Sequence, residues 1–517
     1  MKKQLIISMI AAASLNAAAQ ENIGYDIRFN PEKYTVQKLS VDGKTINVRA
    51  FEKIVYVQHP VDTTYQIMNI YVPEEYFNGK KLNGYSAETA PIFFPNQIGG
   101  YMPSKPASTV NSPMAGLPPM EGMPGGGGRP EGMPQGARPP MMDGPFGGGK
   151  KTSAVLVALT KGYIVASSGA RGRTTKDANG IYTGKAPAAI VDLKAAVRYL
   201  RYNDKLIPGA ASKIISNGTS AGGAISTLVG ATGNNTDYEK YLTALGAAPS
   251  TDDIFAVSAY CPITNLEHAD MAYEWQFNGV NTYSDRGFPG KAAQVSNLSD
   301  AQIKTSGELK QLFPEYLNGL GLKDAKGKAL SLDTKGEGNF KDLVKSYVIG
   351  SAQKALNSGV DLSKLAWLKI EGKKVTGLDF DGYVNYMTRQ KTPPAFDALD
   401  LSSGENQEFG TGTQNKLHFT QYALANSTVK AEIADPLIIK MLNPMPYIAT
   451  AGTVTAKHWR IRHGTNDKDT GLAISVMLGT YLQNKGFDVN LELSWDKPHS
   501  GDYDLEELFA WTDSICK

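Results

Sequence analysis

An α/β fold, with a mainly parallel sheet covered by helices on both faces, is the class this sequence predicts, and three observations predict it. Short, almost wholly apolar runs at 91–95, 163–166 and 254–260 alternate with segments of helical spacing, the pattern of strands buried on both faces. Ile190, Leu193, Val197 and Leu200 recur at steps of three, four and three, which predicts an amphipathic helix. The third is the stretch from Ser216 to Leu228, which reads S-N-G-T-S-A-G-G-A-I-S-T-L. Lys213-Ile214-Ile215 lead into it with strand character, and Ala224, Ile225, Leu228 and Val229 follow at helical spacing, so it is a strand, a sharp turn and a helix.

The 517 residues exceed one ordinary domain, so a core carrying a large insertion is expected. Apolar content of 41%, charged content of 20% and a net charge of +3 point to neither nucleic acid nor an acidic tail. Met1-Lys2-Lys3, the apolar run 5–15 and Asn16-Ala17-Ala18-Ala19 have the charge, length and small residues of a signal peptide, residues 1–19, cleaved after Ala19. The run is too short to span a bilayer, which predicts export to a periplasm or the medium without a membrane anchor. Cys261 and Cys516 are either a pair or two buried thiols; two cysteines make no disulfide scaffold.

Residues 20–261 read as the first part of the core. Thr45 to Val57, Gln66 to Val72 and Pro91 to Pro95 predict strands, and the third leads into Asn96-Gln97-Ile98-Gly99-Gly100-Tyr101. From Pro103 to Lys150, 23 of 48 residues are Pro or Gly and six are Met. Such a segment buries too little apolar surface to offset its ordering entropy, which predicts a flexible insertion over 103–150. The pattern resumes with a buried helix over Ser153 to Leu159 and strands at Tyr163 to Ala166 and Ile254 to Tyr260. Residues 262–436 break that rhythm. They are rich in Asn, Lys and Gly and carry aromatics such as Trp275, Trp367 and Tyr383, which predicts a large, mainly helical lid domain inserted between core strands. Residues 437–517 return to the core, with strands at His458 to His463 and Val489 to Trp495, and helices at Gly471 to Leu482 and Leu505 to Ile515.

Gly218-Thr219-Ser220-Ala221-Gly222 matches G-x-S-x-G. Between a strand and a helix this motif holds a serine hydroxyl clear of the sheet as a nucleophile. Its glycines stand where a Cβ would clash. The N–H of Ala221, at the start of the helix, points to where an oxyanion would form. An α/β hydrolase takes its second oxyanion donor from the loop after an early core strand, here Gly99-Gly100, with Gly100 the candidate. A serine alcohol needs a general base, and the base an acid to orient it; the order in this fold is Ser, acid, His, each after a core strand. Of six histidines only His499 lies in a loop after the last strand. Before it, Gly464-Thr465-Asn466-Asp467-Lys468-Asp469-Thr470 offers Asp467 and Asp469. Spacing favours Asp467, and Asp469 also suits the N-cap of the next helix. This chemistry requires no metal and no cofactor.

Several ordered motifs together resemble bacterial tannases, tannin acyl hydrolases of the subtype B kind. They are Gly218 to Gly223, Gly99-Gly100-Tyr101-Met102, Tyr260-Cys261-Pro262-Ile263, Lys391-Thr392-Pro393-Pro394-Ala395-Phe396-Asp397, His458 to Gly464 with Asp467 and Asp469, and Trp495 to Asp504. The resemblance spans most of the chain after the leader. It implies an α/β-hydrolase fold, a triad of Ser220, Asp467 and His499, and a substrate that is a small or polyphenolic galloyl ester. It also implies that Lys391, Glu405 and Asp469 hold the galloyl hydroxyls, Lys391 and Glu405 being lent by the lid. A ring lacking the phenols would leave those charges unpaired, which is a strong basis for discrimination. The chain departs from the pattern in its 103–150 insertion. It also lacks cysteines beside Ser220 and His499 that would mark the fungal type.

The expectation is therefore an exported serine esterase acting on galloyl esters of hydrolysable tannins and on simple gallate or protocatechuate esters, releasing gallic acid through an acyl-enzyme. One rival is a feruloyl or hydroxycinnamoyl esterase that shares the triad but not the phenol contacts. Another is a catalytically inactive binding protein, against which an intact, ordered triad argues.

Overall fold

The structure is a computed structural model that describes residues 24–41, 43–109, 153–284 and 294–517. The signal peptide expected over 1–19 and most of the insertion expected over 103–150 lie outside the described residues. In chain order the strands are β1 (Thr35–Val41), β2 (Lys44–Val55), β3 (Ile67–Pro73), β4 (Pro91–Pro95), β5 (Ile164–Ser168), β6 (Ala210–Thr219), β7 (Ala256–Tyr260), β8 (Thr282–Ser284), β9 (Val295–Asn297), β10 (Leu368–Glu371), β11 (Lys374–Leu378), β12 (His458–Gly464) and β13 (Asp488–Ser494). Among the described residues nine of them form one sheet in the order β1-β2-β3-β5-β4-β6-β7-β12-β13, antiparallel from β1 to β5 and parallel from β5 to β13.

The parallel half is where the continuous apolar runs fall. Every residue of β4, β5 and β7 is buried, as strands with helices on both faces must be. Spacing within the sequence did not reveal β1, whose side chains are mostly exposed; it is held by its ladder to β2, from Thr35 opposite Ala50 to Val41 opposite Lys44. From β4 the chain crosses to β5 on one side and then returns to β6 on the other. Such a reversal opens a crevice at the carboxyl ends of the strands, where α/β proteins bind ligands.

The helix expected from Ile190, Leu193, Val197 and Leu200 is Ala188–Tyr202, but it is not half-exposed: every residue from Ala188 to Leu200 is buried. Its polar side is neutralised by partners. Asp192 pairs with Arg171 at 2.8 Å, Lys194 with Asp252 at 2.6 Å, and Arg198 with Asp252 at 2.8 Å and Glu239 at 2.6 Å. A buried charge is tolerated only when paired and hydrogen-bonded in this way.

Pro103 to Thr109, the expected start of the flexible insertion, instead run pinned along the sheet. The Ala107 carbonyl accepts from Asn69 Nδ2 at 3.1 Å, Ala107 N–H donates to Ser167 Oγ at 2.9 Å, and Ser104 bridges Ala170. Their backbone groups find partners that composition does not reveal.

β7 and β12 are neighbours, yet residues 261–457 lie between them in the chain. Among its described residues the regular structure is mostly helix, with the antiparallel pairs β8–β9 and β10–β11. Trp275 gathers Phe313, Phe340 and Phe380 around it at 5.3 to 6.0 Å between ring centroids, giving the excursion its own apolar centre. It docks firmly through the buried helix Leu266–Phe277: Tyr273 Oη donates to Lys468 O at 2.8 Å and Gln276 Oε1 accepts from Leu472 N–H at 2.8 Å.

Candidate active site

The turn from β6 into the helix Ala221–Ala231 holds Ser220 at φ 61° and ψ −126°. That conformation is costly for any residue with a Cβ, of order 1–3 kcal/mol, and persists only where its surroundings enforce it. Two glycines allow the close approach that does so. A Cβ on Gly218 would lie 2.2 Å from Gly222 O, and one on Gly222 would lie 2.5 Å from Asn96 Oδ1 and 2.6 Å from Ile98 O. Asn96, just past β4, ties the two loops together: its Nδ2 donates to Gly222 O at 3.0 Å and to Ser226 Oγ at 2.9 Å, and its Oδ1 accepts from Ile98 N–H at 3.2 Å. Sequence reasoning passed over Asn96. An Asn directly after a strand, able to cap its own backbone two residues on, was the available signal.

The loop after β13 brings His499 to Ser220, with His499 Nε2 accepting from Ser220 Oγ at 2.8 Å. On the other side its Nδ1 donates to Asp467 Oδ2 at 2.7 Å. A carboxylate accepts only, so it fixes the tautomer with the proton on Nδ1. Asp467 Oδ1 accepts in turn from the N–H of Asp469 at 2.8 Å. The His499 loop is itself anchored: Asn217 Nδ2 donates to Asp502 Oδ1 at 3.1 Å, Tyr260 Oη to Asp504 Oδ1 at 2.6 Å, and Arg460 pairs with Asp504.

Electrostatics follow from burial and these contacts. Burial alone would raise the Asp467 carboxyl, but the facing His499 and His463 and the hydrogen bond from His499 hold it below the usual carboxylate value. Burial would lower His499, but the charges of Asp467, Cys261 and Asp469 and the hydrogen bond to Asp467 together outweigh it, leaving the imidazole well above its ordinary value. His463, also buried, is pushed down by that burial. Its Nε2 lies 3.4 Å from Asp467 Oδ2 while its Nδ1 meets Ser475 Oγ at 2.9 Å. Other histidines have structural partners: His418 meets Asp397, His458 meets Asp488, and His268 stacks on Tyr316.

Cys261 and Cys516 are free, buried thiols. Cys261 sits at φ 35° against the site, its Sγ within 4.8 Å of ligand atoms of both Asp467 and His499.

Beside Asp467 the structure gathers the three residues that the resemblance assigns to the galloyl ring. Lys391 Nζ pairs with Asp469 Oδ1 at 3.0 Å and stands 3.8 Å from the Phe396 ring centroid. The segment is held by the buried pair Arg389–Glu274, by Arg389 Nε donating to Lys391 O at 2.8 Å, and by Tyr273 Oη accepting from Lys391 N–H at 3.2 Å. Glu405, on the short helix Gly404–Glu408, has its carboxyl raised by burial; it interacts with the charges of Lys391, Asp469 and Arg173. Gly100, the expected second oxyanion donor, lies in the loop after β4 at φ 53°.

The comparisons agree with this architecture. The BD-FAE family model matches residues 148–296, and no curated protein matches the chain. The crystal structure of Fusobacterium nucleatum tannase is 46% identical, superposes with a TM-score of 0.85, and covers 95% of this chain and 100% of its own. Native tannin acyl hydrolase from Lactobacillus plantarum is 43% identical with a TM-score of 0.84, over 95% of this chain and 99% of its own. A tannin acyl hydrolase solved with ethyl gallate reaches 43% identity and a TM-score of 0.83 over 95% and 99%. At that identity over nearly the whole of both chains, around a sheet of α/β-hydrolase order, the chain belongs to the bacterial tannases, a family of carboxylic ester hydrolases.

Proposed function

We propose that this protein is an exported serine esterase that hydrolyses galloyl esters of tannins and of simple alcohols, releasing gallic acid through an acyl-enzyme. The observation that carries the reading is the continuous chain Ser220–His499–Asp467, with bonds of 2.8 and 2.7 Å, ending beside the Lys391–Asp469 pair and Glu405. The ethyl gallate and 3,4-dihydroxybenzoate complexes of related tannin acyl hydrolases support the same substrate class.

Ser220 Oγ attacks the ester carbonyl as His499 Nε2 takes its proton, with Asp467 stabilising the imidazolium. The N–H groups of Gly100 and Ala221 receive the oxyanion. Collapse of the tetrahedral intermediate breaks the bond to the alcohol, which leaves with the proton from His499. Water, deprotonated by the same imidazole, then attacks the acyl-enzyme and frees the acid. Lys391, Glu405 and Asp469 hold the three phenols, and the excursion 262–436 acts as the lid that lends the first two. The 1–19 leader carries the export reading, and among the described residues no helix is long and apolar enough to cross a membrane.

The test is release of acid from methyl gallate and methyl ferulate, side by side, by the wild type, Ser220→Ala and Glu405→Ala. Preference for gallate, loss of about 10⁴-fold or more in Ser220→Ala, and collapse of the preference in Glu405→Ala are expected. Comparable rates on the two esters, with Glu405→Ala unchanged, would keep the esterase and discard the galloyl pocket in favour of a feruloyl-type enzyme.

A further inference from the structure

Arg173, in the loop after β5, has no part in the chemistry above, yet it touches both halves of the site. Its backbone N–H donates to Tyr101 O at 2.9 Å and its Nε to Gly100 O at 2.8 Å. One residue thus holds two successive carbonyls of the loop assigned the oxyanion donor. Those carbonyls belong to residues at φ 53° and 56°, a conformation that needs an external tie to persist in Tyr101. The other end of the same guanidinium donates from Nη1 to Gln407 Oε1, on the helix Gly404–Glu408 that carries Glu405. The start of that helix lies against the guanidinium, since a Cβ on Gly404 would stand 3.2 Å from Arg173 Cζ. Gln407 is fixed in turn by its Nε2, which donates to Asn415 Oδ1 at 3.0 Å. A planar fork of fixed donors transmits position between two acceptors as a flexible ammonium does not.

We propose that Arg173 is a positioning residue that couples the phenol pocket to the oxyanion loop. The proposal rests on the galloyl reading. Ring hydroxyls engaged at Glu405 hold the helix Gly404–Glu408; Gln407 then holds the guanidinium, and the guanidinium holds the Gly100 and Tyr101 carbonyls, and with them the direction of the Gly100 N–H. An acyl group without phenols leaves Glu405 unengaged and gains nothing from the bridge, so selectivity for the galloyl ring is expressed in kcat as well as in KM.

The experiment measures kcat and KM for methyl gallate and for 4-nitrophenyl acetate in the wild type, Arg173→Ala, Arg173→Lys, Gln407→Leu, Glu405→Ala and the Arg173→Ala/Glu405→Ala double variant, with thermal unfolding as the folding control. Gln407→Leu is expected to lower kcat on methyl gallate by about 10-fold or more, within the cost of a small misplacement near the chemistry, and to change kcat on the acetate by less than about twofold. Arg173→Ala is expected to lower both, the gallate more, with Arg173→Lys between it and wild type. Adding Arg173→Ala to Glu405→Ala is expected to widen the gallate-to-acetate ratio of the losses by less than about twofold, because coupled residues are non-additive. Equal losses on the two esters in Gln407→Leu, or independent multiplication of the losses in the double variant, would overturn the coupling. If Arg173→Ala does not fold, Gln407→Leu decides alone. A wild type active on the acetate but inert to methyl gallate would remove the galloyl reading itself, an outcome distinct from the others.

Discussion

At the scale of the residue, three side chains named from motif, loop position and resemblance come within hydrogen-bond distance: Ser220, His499 and Asp467. Between Asp467 and Asp469, spacing favoured Asp467 and the resemblance assigned it to the triad. In the folded chain Asp467 Oδ2 meets His499, while Asp469 meets Lys391 and also gives its N–H to Asp467. The raised His499 sets a pH expectation. His499 must be neutral to accept the serine proton, so activity falls as pH drops through its pKa, and the acid limb of kcat/KM is expected above pH 6.5, the ordinary imidazole value. Asp467→Asn removes the largest of the charges that raise it, so burial is opposed by less. The limb is expected to move down and kcat to fall by about 10⁴-fold, both measured in one pH–rate profile. An unmoved limb would assign the titration to another group.

At the scale of the element, the strand–turn–helix around Ser220 was fully legible, because a short apolar run, a glycine-rich turn and a helical repeat are local patterns. What the turn rests against was not. Gly222 packs on Asn96 and Ile98, residues more than a hundred positions earlier. Gly222→Ala is expected to push the Ile98 carbonyl away, to cost about 1–3 kcal/mol as overpacking does, and to lower kcat by about 10²-fold by displacing the adjoining oxyanion loop. Urea unfolding and kcat on methyl gallate check the two parts, and a stable, fully active Gly222→Ala would show that the loop tolerates the shift. The helix Ala188–Tyr202 marks the limit of the same reasoning. Its apolar stripe was visible, but its charged face looked like solvent-facing surface until Arg171, Asp252 and Glu239 were seen to cover it.

At the scale of the whole molecule, the sheet is locked to its covering layer by buried ions. Asp252 is fully buried between Lys194 and Arg198, which, against the effect of burial, hold its carboxyl below the usual value. Asp252→Ala would strand the Lys194 ammonium without a counter-charge, and a loss of about 3–5 kcal/mol is expected from the broken buried pair, measurable by urea unfolding. A loss below about 1 kcal/mol would mean that water or a rearranged Glu239 replaces the partner. The excursion between β7 and β12 belongs to this scale too. Its composition separates it from the core in the sequence, while its docking through Tyr273, Gln276 and Lys391 makes it a wall of the site.

The residues alone carried the parallel core, the elbow serine, the chain order of the candidate nucleophile, acid and base, and an excursion between core strands. All of these are written in short-range periodicity and in the chain order of loops after strands. The folded chain alone shows that Asn96 and His463 adjoin the site, that the charged helix face is interior, and that Arg173 bridges the Gly100-Tyr101 loop to the helix bearing Glu405. Those are contacts between residues tens to hundreds of positions apart. Their partners are chosen by strand order and loop closure, and no local pattern of residue types encodes them.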